Sequence, residues 1–214
     1  MSTKKLFQLL ALLAMLVGFP LISWYYLKTG LDYRMEKMGE LADRGQLPDF
    51  QYEALSGNAL SSQLLANQLL VGYLSNGAGS DASMKAFKRL HQQFDERNEV
   101  FFLHFCSDTS LATAQQLLQS AQVNQLADTS QWFQFQLSTS EVGHLAKAVG
   151  LPYADYDMSI DQNTLFFLAD SLQVRAYYDF TKEEDLKRLV EHIALNLPVQ
   201  KSRQELIFKR DKEK

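Results

Sequence analysis

Two apolar rhythms alternate along this chain, short unbroken runs and stretches of helical spacing. Leu69-Leu70-Val71-Gly72-Tyr73-Leu74 is a continuous run of strand length, which predicts a central strand buried on both faces. Met84, Phe87, Leu90, His91 and Phe94 then recur at the three-and-four spacing of a helix face that packs on a sheet. Val100 to Phe105 predicts a second buried strand, and Leu111 to Ala121 a second helix, followed by an aromatic segment around Trp132-Phe133. Val142 to Val149 reads as a short helix stopped by Gly150 and Pro152. Leu165 to Ala169 and Val174 to Tyr178 predict two further strands. Thr181 then stands as the cap of a last helix reaching Leu197, with Glu184 completing a capping box.

The first residues follow a different rule. Residues 6–27 are predominantly apolar, about 22 residues at 1.5 Å each, enough for a hydrocarbon core of roughly 30 Å. Lys4 and Lys5 precede the stretch and Trp24-Tyr25-Tyr26 closes it, as aromatic rings do at a membrane interface. A cleavable signal peptide shares the basic start. Here bulky aromatics stand where a cleavage site needs small residues, and the expectation is a retained transmembrane anchor. The chain then divides into a cytoplasmic start (1–5), the anchor (6–27), a polar helical stalk (28–46), a folded domain (47–198) and a polar, charged tail (199–214). Lys4 and Lys5 favour a cytoplasmic N-terminus, although Lys28, Arg34 and Lys37 on the other flank oppose them. The domain opens at Leu47-Pro48-Asp49-Phe50, where a short strand and the Ser56-Gly57-Asn58 turn predict a hairpin.

Composition narrows the function. Among 214 residues, 21 basic against 25 acidic side chains give a net charge of -4, so no general basic field exists to hold nucleic acid. One cysteine, Cys106, excludes an intrachain disulfide framework, a CxxC redox pair and a multi-cysteine zinc site.

The order β-α-β-α followed by β-β-α implies a mixed α/β sheet with helices on both faces. That is the thioredoxin-like plan, with an N-terminal hairpin and one N-terminal transmembrane helix added. Thioredoxin-like domains carry their cysteines between the first central strand and its helix. Here that turn is Ser75-Asn76-Gly77-Ala78-Gly79-Ser80-Asp81, without a thiol.

Several passages, in order and spacing, resemble the Sco/SenC family of membrane-anchored, thioredoxin-fold proteins. They are Leu47-Pro48-Asp49-Phe50, Leu103 to Ser110, Trp132 followed by Val142 to Tyr153, Leu165 to Asp170, and the helix with Leu186, Leu189, Ile193 and Leu197. The family's role is copper delivery to cytochrome c oxidase, through a Cys-Pro-x-x-Cys-Pro-x-Met turn and a distant histidine. Aligned on Met84, the resemblance places Gly77 at the first cysteine and Asp81 at the second. Aligned on Leu165 to Asp170, it places Gln162 at the histidine. Soft thiolates select Cu(I) and an imidazole helps hold Cu(II), whereas Gly77 has no donor atom, Gln162 offers an amide oxygen and Asp81 is a hard ligand. Disulfide exchange needs a thiolate, which this turn lacks. Asp81 is explained by capping the positive end of its helix.

The other candidates read as structural. Cys106 follows a buried strand without an evident basic neighbour, so it is expected to be a core thiol. His91, His104, His144 and His192 do not cluster in sequence. Asp49, Asp108, Asp161 and Asp170 fall at strand ends and turns, where aspartate bonds locally. Gly77-Ala78-Gly79 lacks the lysine of a phosphate loop.

The resulting expectation is a Sco-like protein of the inner membrane, its domain on the periplasmic side, with no catalytic residue, metal or cofactor. Gly77, Asp81 and Gln162 are its vestigial motif positions. It would be a non-catalytic accessory or assembly partner of a respiratory, cytochrome oxidase, or envelope complex. The alternative is a copper chaperone or thiol-redox protein working through a rearranged site of His104, Cys106 and Asp81. A structural envelope protein without a respiratory link is a third reading.

Overall fold

A computed structural model describes residues 3–77, 79–126, 130–151 and 165–197. Helix α1 (Thr3–Leu13) passes through one π turn (Ala14–Gly18) into α2 (Phe19–Gly39), and the backbone stays helical at both junctions. The sequence explains the π turn. Pro20 has no N–H to donate, and its ring presses on the carbonyl one turn earlier, so the helix widens there. The apolar stretch thus carries a π turn just before Pro20 and stays helical through it. Among the described residues no helix is long and apolar enough to cross a membrane.

The helix ends at Gly39, before the expected end of the stalk, and Gly45–Gln46 (β1) already pairs with the sheet. The hairpin forms as expected from β2 (Gln51–Glu53) and β3 (Ala59–Ser61). Then come β4 (Leu69–Ser75), α3 (Asp81–Phe94), β5 (Val100–Cys106), α4 (Leu111–Val123), β6 (Trp132–Gln136), α5 (Thr139–Ala148), β7 (Leu165–Asp170), β8 (Gln173–Asp179) and α6 (Glu183–Asn196). The aromatic segment at Trp132 is therefore a strand. A six-stranded sheet runs in the order β1-β8-β7-β4-β5-β6. The strands β4, β5 and β6 are parallel, and β7 is antiparallel to both β4 and β8.

Two cores sandwich this sheet. On one face Met84, Phe87 and Leu90 of α3 and Leu189 and Ile193 of α6 meet Val71, Phe102 and Phe166. On the other, Val142 and Leu145 of α5 and Phe50 and Leu60 of the hairpin meet Leu70, Leu103, Phe105 and Phe167. All seven residues of β4 are buried, as its continuous apolar run requires.

Helix caps depart from expectation. The Thr181 hydroxyl bonds Asp179 Oδ1 at 2.6 Å, and the N-cap of α6 is Lys182, without a side-chain cap. The capping box lies at α5 instead, where Ser138 and Glu141 exchange bonds. At α3 the cap is Ser80, whose hydroxyl accepts from the Ser83 N–H at 3.1 Å; Asp81 is the first helical residue.

Gly72 marks the tightest point of the sheet, because a Cβ there would fall on the Phe167 ring. The Gly72→Ala variant is expected to lose about 1–3 kcal/mol of stability by overpacking, read as a lower urea midpoint. Adding Phe167→Leu should return part of the loss, and an unchanged midpoint in the single variant would contradict this packing.

Candidate functional site

Parallel pairing sets Tyr73 opposite His104 and Ser75 opposite Cys106, at the end of the sheet where the β4–α3 turn begins. His104 pairs on its other side with Gln134. The result is a buried polar group directly beneath the turn. Ser75 Oγ lies 2.6 Å from the Gly77 carbonyl and 2.7 Å from His104 Nε2. Cys106 Sγ lies 2.9 Å from the same carbonyl.

These distances assign the protons. The Gly77 carbonyl only accepts, so the single Ser75 proton goes to it, and the Cys106 thiol, with the Gly77 carbonyl at 2.9 Å and the Asp108 carbonyl at 3.6 Å, donates toward the nearer. Ser75 Oγ must then accept from Nε2–H of His104. The assignment leaves His104 Nδ1 bare, and among the described residues it has no hydrogen-bond partner. Tyr73 stacks on the imidazole, ring centroids 5.0 Å apart. Burial pushes the Tyr73 hydroxyl up to about 12, against the bond it makes with Ser83.

The turn is locked by its own atoms. Asn76 Oδ1 accepts from Ser107 Oγ at 2.7 Å, and the Ser107 N–H donates to the Ser75 carbonyl at 2.9 Å. Gly77 and Gly79 take φ of +108° and +78°, backbone that favours glycine. At Gly79 a Cβ would also crowd Tyr73 and His104, at 3.2 and 3.3 Å. Above the lock is a cleft of about 370 Å³ lined by Gly79, Ser80, Asp81 and Met84 on one side and Gln116, Gln119, Ser120, Val123 and Asn124 on the other.

The vestigial positions therefore separate. Gly77 is the acceptor at the centre of the lock, Asp81 lines the cleft, and Gln162 lies outside the described residues, as does Asp161. Of the rearranged trio, His104 and Cys106 are brought together and Asp81 stands on the rim. Asp108 and Asp170 bond locally, to Ser110 and Thr113 and to Ser171, whereas Asp49 accepts from Ser62 across the hairpin. His144 is exposed, His91 is half-buried beside Phe102, and His192 is fully buried against Tyr178. Ser75, which joins the histidine to the turn, was missed from sequence. Its partner His104 is distant along the chain, and only strand register unites them.

The donors present do not fit a copper ion. Burial pushes the Cys106 thiol up, favouring the protonated form that donates to Gly77, and His104 Nε2 is engaged. Among the described residues no group of three or more His, Cys, Asp and Glu could hold a metal.

With the geometry in place, comparison with known proteins is informative about fold. No family model matches the sequence, and no curated protein matches it. Solved structures do. A SCO1/SenC family lipoprotein from Bacillus anthracis aligns with a TM-score of 0.54 at 18% identity, covering 71% of this chain and 96% of that one. BsSco, described as a member of the Sco family of cytochrome c oxidase assembly proteins with a disulfide switch, aligns at 0.56 and 18%, covering 74% and 99%. Yeast Sco1 with copper bound aligns at 0.50 and 16%, covering 74% and 98%. Thioredoxin-like thiol–disulfide oxidoreductases also align. The fold is thus a mixed α/β, thioredoxin-like sheet flanked by helices, and its structural neighbours over most of the chain are Sco/SenC proteins and related oxidoreductases.

Burial pushes the His104 pKa down to about 3 from an ordinary 6.5. Below pH 6.5 the unfolded chain takes up a proton that the folded chain refuses, so stability is full above that pH and falls as pH drops toward 3. His91 and His192, also lowered by burial, act with the same sign. A His104→Gln variant should recover about 2 kcal/mol of the loss between pH 7.5 and pH 5, measured by urea denaturation at both. An unchanged pH slope would contradict a neutral, buried His104.

Proposed function

We propose that this chain is a membrane-anchored, Sco-like accessory protein that acts by contact, without thiol or copper chemistry of its own, in the assembly of a respiratory or envelope complex. The observation that carries the reading is the double acceptance at Gly77. Where redox relatives of this fold place reactive thiols, this chain places a carbonyl that takes protons from Ser75 and Cys106. The thiol is buried and protonated, because burial outweighs the Asp108 N–H that donates to its sulfur at 3.4 Å, and the histidine is neutral.

The named neighbours support the respiratory direction, since BsSco belongs to a family of cytochrome c oxidase assembly proteins. Exposed Asn76, Gly79, Ser80 and Asp81 offer the turn as a contact surface. We place the anchor at residues 6–27, with the N-terminus in the cytoplasm and the domain outside the inner membrane. Leu12, Leu16, Phe19, Ile22, Trp24 and Tyr26 expose apolar or aromatic side chains around a helix that is continuous through its π turn. A soluble domain would hide such side chains, and a bilayer covers them.

The test is mild detergent extraction of native membranes, affinity purification of the full-length protein, and mass spectrometry of what accompanies it. Haem–copper oxidase subunits or their maturation factors are expected, with several-fold less recovered by an Asp81→Arg variant of unchanged stability. Recovery of unrelated envelope proteins alone, or equal recovery by the variant, would overturn the respiratory partner or the contact surface respectively.

A further inference from the structure

The segment joining the apolar helix to the sheet carries an unbroken series of attachments. Arg34 Nη2 donates to the Leu195 carbonyl at 3.2 Å, Lys37 Nζ faces Glu191 at 3.9 Å, and Arg188 meets Glu40 Oε2 at 2.9 Å. Lys37 and Glu40 also pair with each other at 2.9 Å, beside fully buried His192. Leu41 packs on the core at the α3–α6 face. The Ala42 and Arg44 N–H groups donate to the Arg175 and Val174 carbonyls, Arg175 pairs with Asp43, and Gly45 and Gln46 join the sheet edge. From Arg34 onward the connection is helix docked on helix, then strand docked on strand.

Direction follows from these contacts. Residues 34, 37 and 40 meet 195, 191 and 188 in turn, so α2 runs antiparallel to α6. The strands β8 and β4 are parallel to each other, because each is antiparallel to β7, and Tyr73 and Tyr178 both pair with Phe166. Helix α6 starts just beyond the end of β8, hence at the rim that carries the β4–α3 turn, and runs back across the sheet. Helix α2 therefore points toward that rim, and its apolar end leaves by the opposite one.

Taking the N-terminal helix as a membrane anchor, on which this inference rests, we propose that α2 is a rigid strut. It holds the β4–α3 turn facing away from the bilayer, on the order of 30–40 Å above it. The height sums about 10 Å of free helix from Leu27 to Arg34, about 18 Å along α6 from Leu195 to Glu183, and about 12 Å along α3 from Arg89 to Asp81. The Arg89–Glu183 pair at 2.8 Å fixes the last two levels against each other. The surface around Asp81 consequently meets a folded domain standing clear of the membrane and not a group at the lipid surface.

Spin labels on a Thr29→Cys, Asp81→Cys variant of the full chain in lipid nanodiscs test this, with fully buried Cys106 left in place. Pulsed dipolar spectroscopy should return one narrow distance, about 35 Å. Replacing Arg34, Lys37 and Glu40 together by alanine should broaden it. A broad distribution in the parent, or an equally narrow one in the alanine variant, overturns the strut. Energy transfer from a dye on Asp81→Cys to acceptor lipids should be weak, and strong transfer overturns the orientation. Failure of the chain to float with vesicles overturns the anchor and with it the height above the bilayer, while the internal distance still judges the strut.

Discussion

The register of β4 against β5 governs this molecule more than any other single feature. It places Tyr73 against His104 and Ser75 against Cys106, so that side chains 29 and more residues apart in sequence share one buried pocket of hydrogen bonds. A shift of one residue would send His104 and Cys106 to the α5 face and bring Leu103 and Phe105 beneath the turn. The aromatic packing fixes that register, because Phe102 and Phe105 fill opposite cores and cannot exchange faces.

Everything proposed for the turn follows from that pocket. A thioredoxin-like turn is a helix N-terminus laid over the end of a sheet, a place suited to stabilise anions such as thiolates. In this chain no thiolate stands there; Asp81 supplies the carboxylate of the first helical turn, and a carbonyl with two donors holds the loop. The lock satisfies the polar atoms nearest the turn, while deeper ones stay unpaired. His104 Nδ1, Trp132 Nε1 and Gln134 Nε2 are buried without partners among the described residues, on the same face of β5 and β6. Unpaired buried polar groups cost about 1–3 kcal/mol each. The chain therefore maintains this polar interior at the expense of stability, and the pH dependence at His104 is its measurable mark.

Much of the fold was legible in the sequence because its strands are continuous apolar runs. Leu69–Leu74, Val100–Phe105 and Leu165–Ala169 could only be central strands, and the helical spacing from Met84 to Phe94 could only be a face on that sheet. The absence of a cysteine from the turn between β4 and α3 was equally plain. Caps were harder, since Thr181 and Glu184 carried the right spacing while Asp179 captured the threonine hydroxyl. The true box, Ser138 with Glu141, was present as Ser-x-x-Glu and went unread. From Phe133 to Gln136 aromatic and glutamine residues alternate, so this strand lacked the apolar run of its neighbours. The π turn in the apolar helix followed from Pro20, whose effect on the preceding turn is local and predictable. Ser75 could not be found from sequence, since its role exists only through register.

The central claim is that the turn is closed by Ser75, Cys106 and Gly77 and has no copper-binding chemistry. Titration of the full-length protein with Cu(I) against a competing chromophoric chelator tests it most directly. The account predicts that the chelator takes all the metal, with Cys106 recovered as a free, slowly alkylated thiol. Retention of one equivalent of Cu(I), lost on Cys106→Ser or His104→Gln substitution, would contradict it.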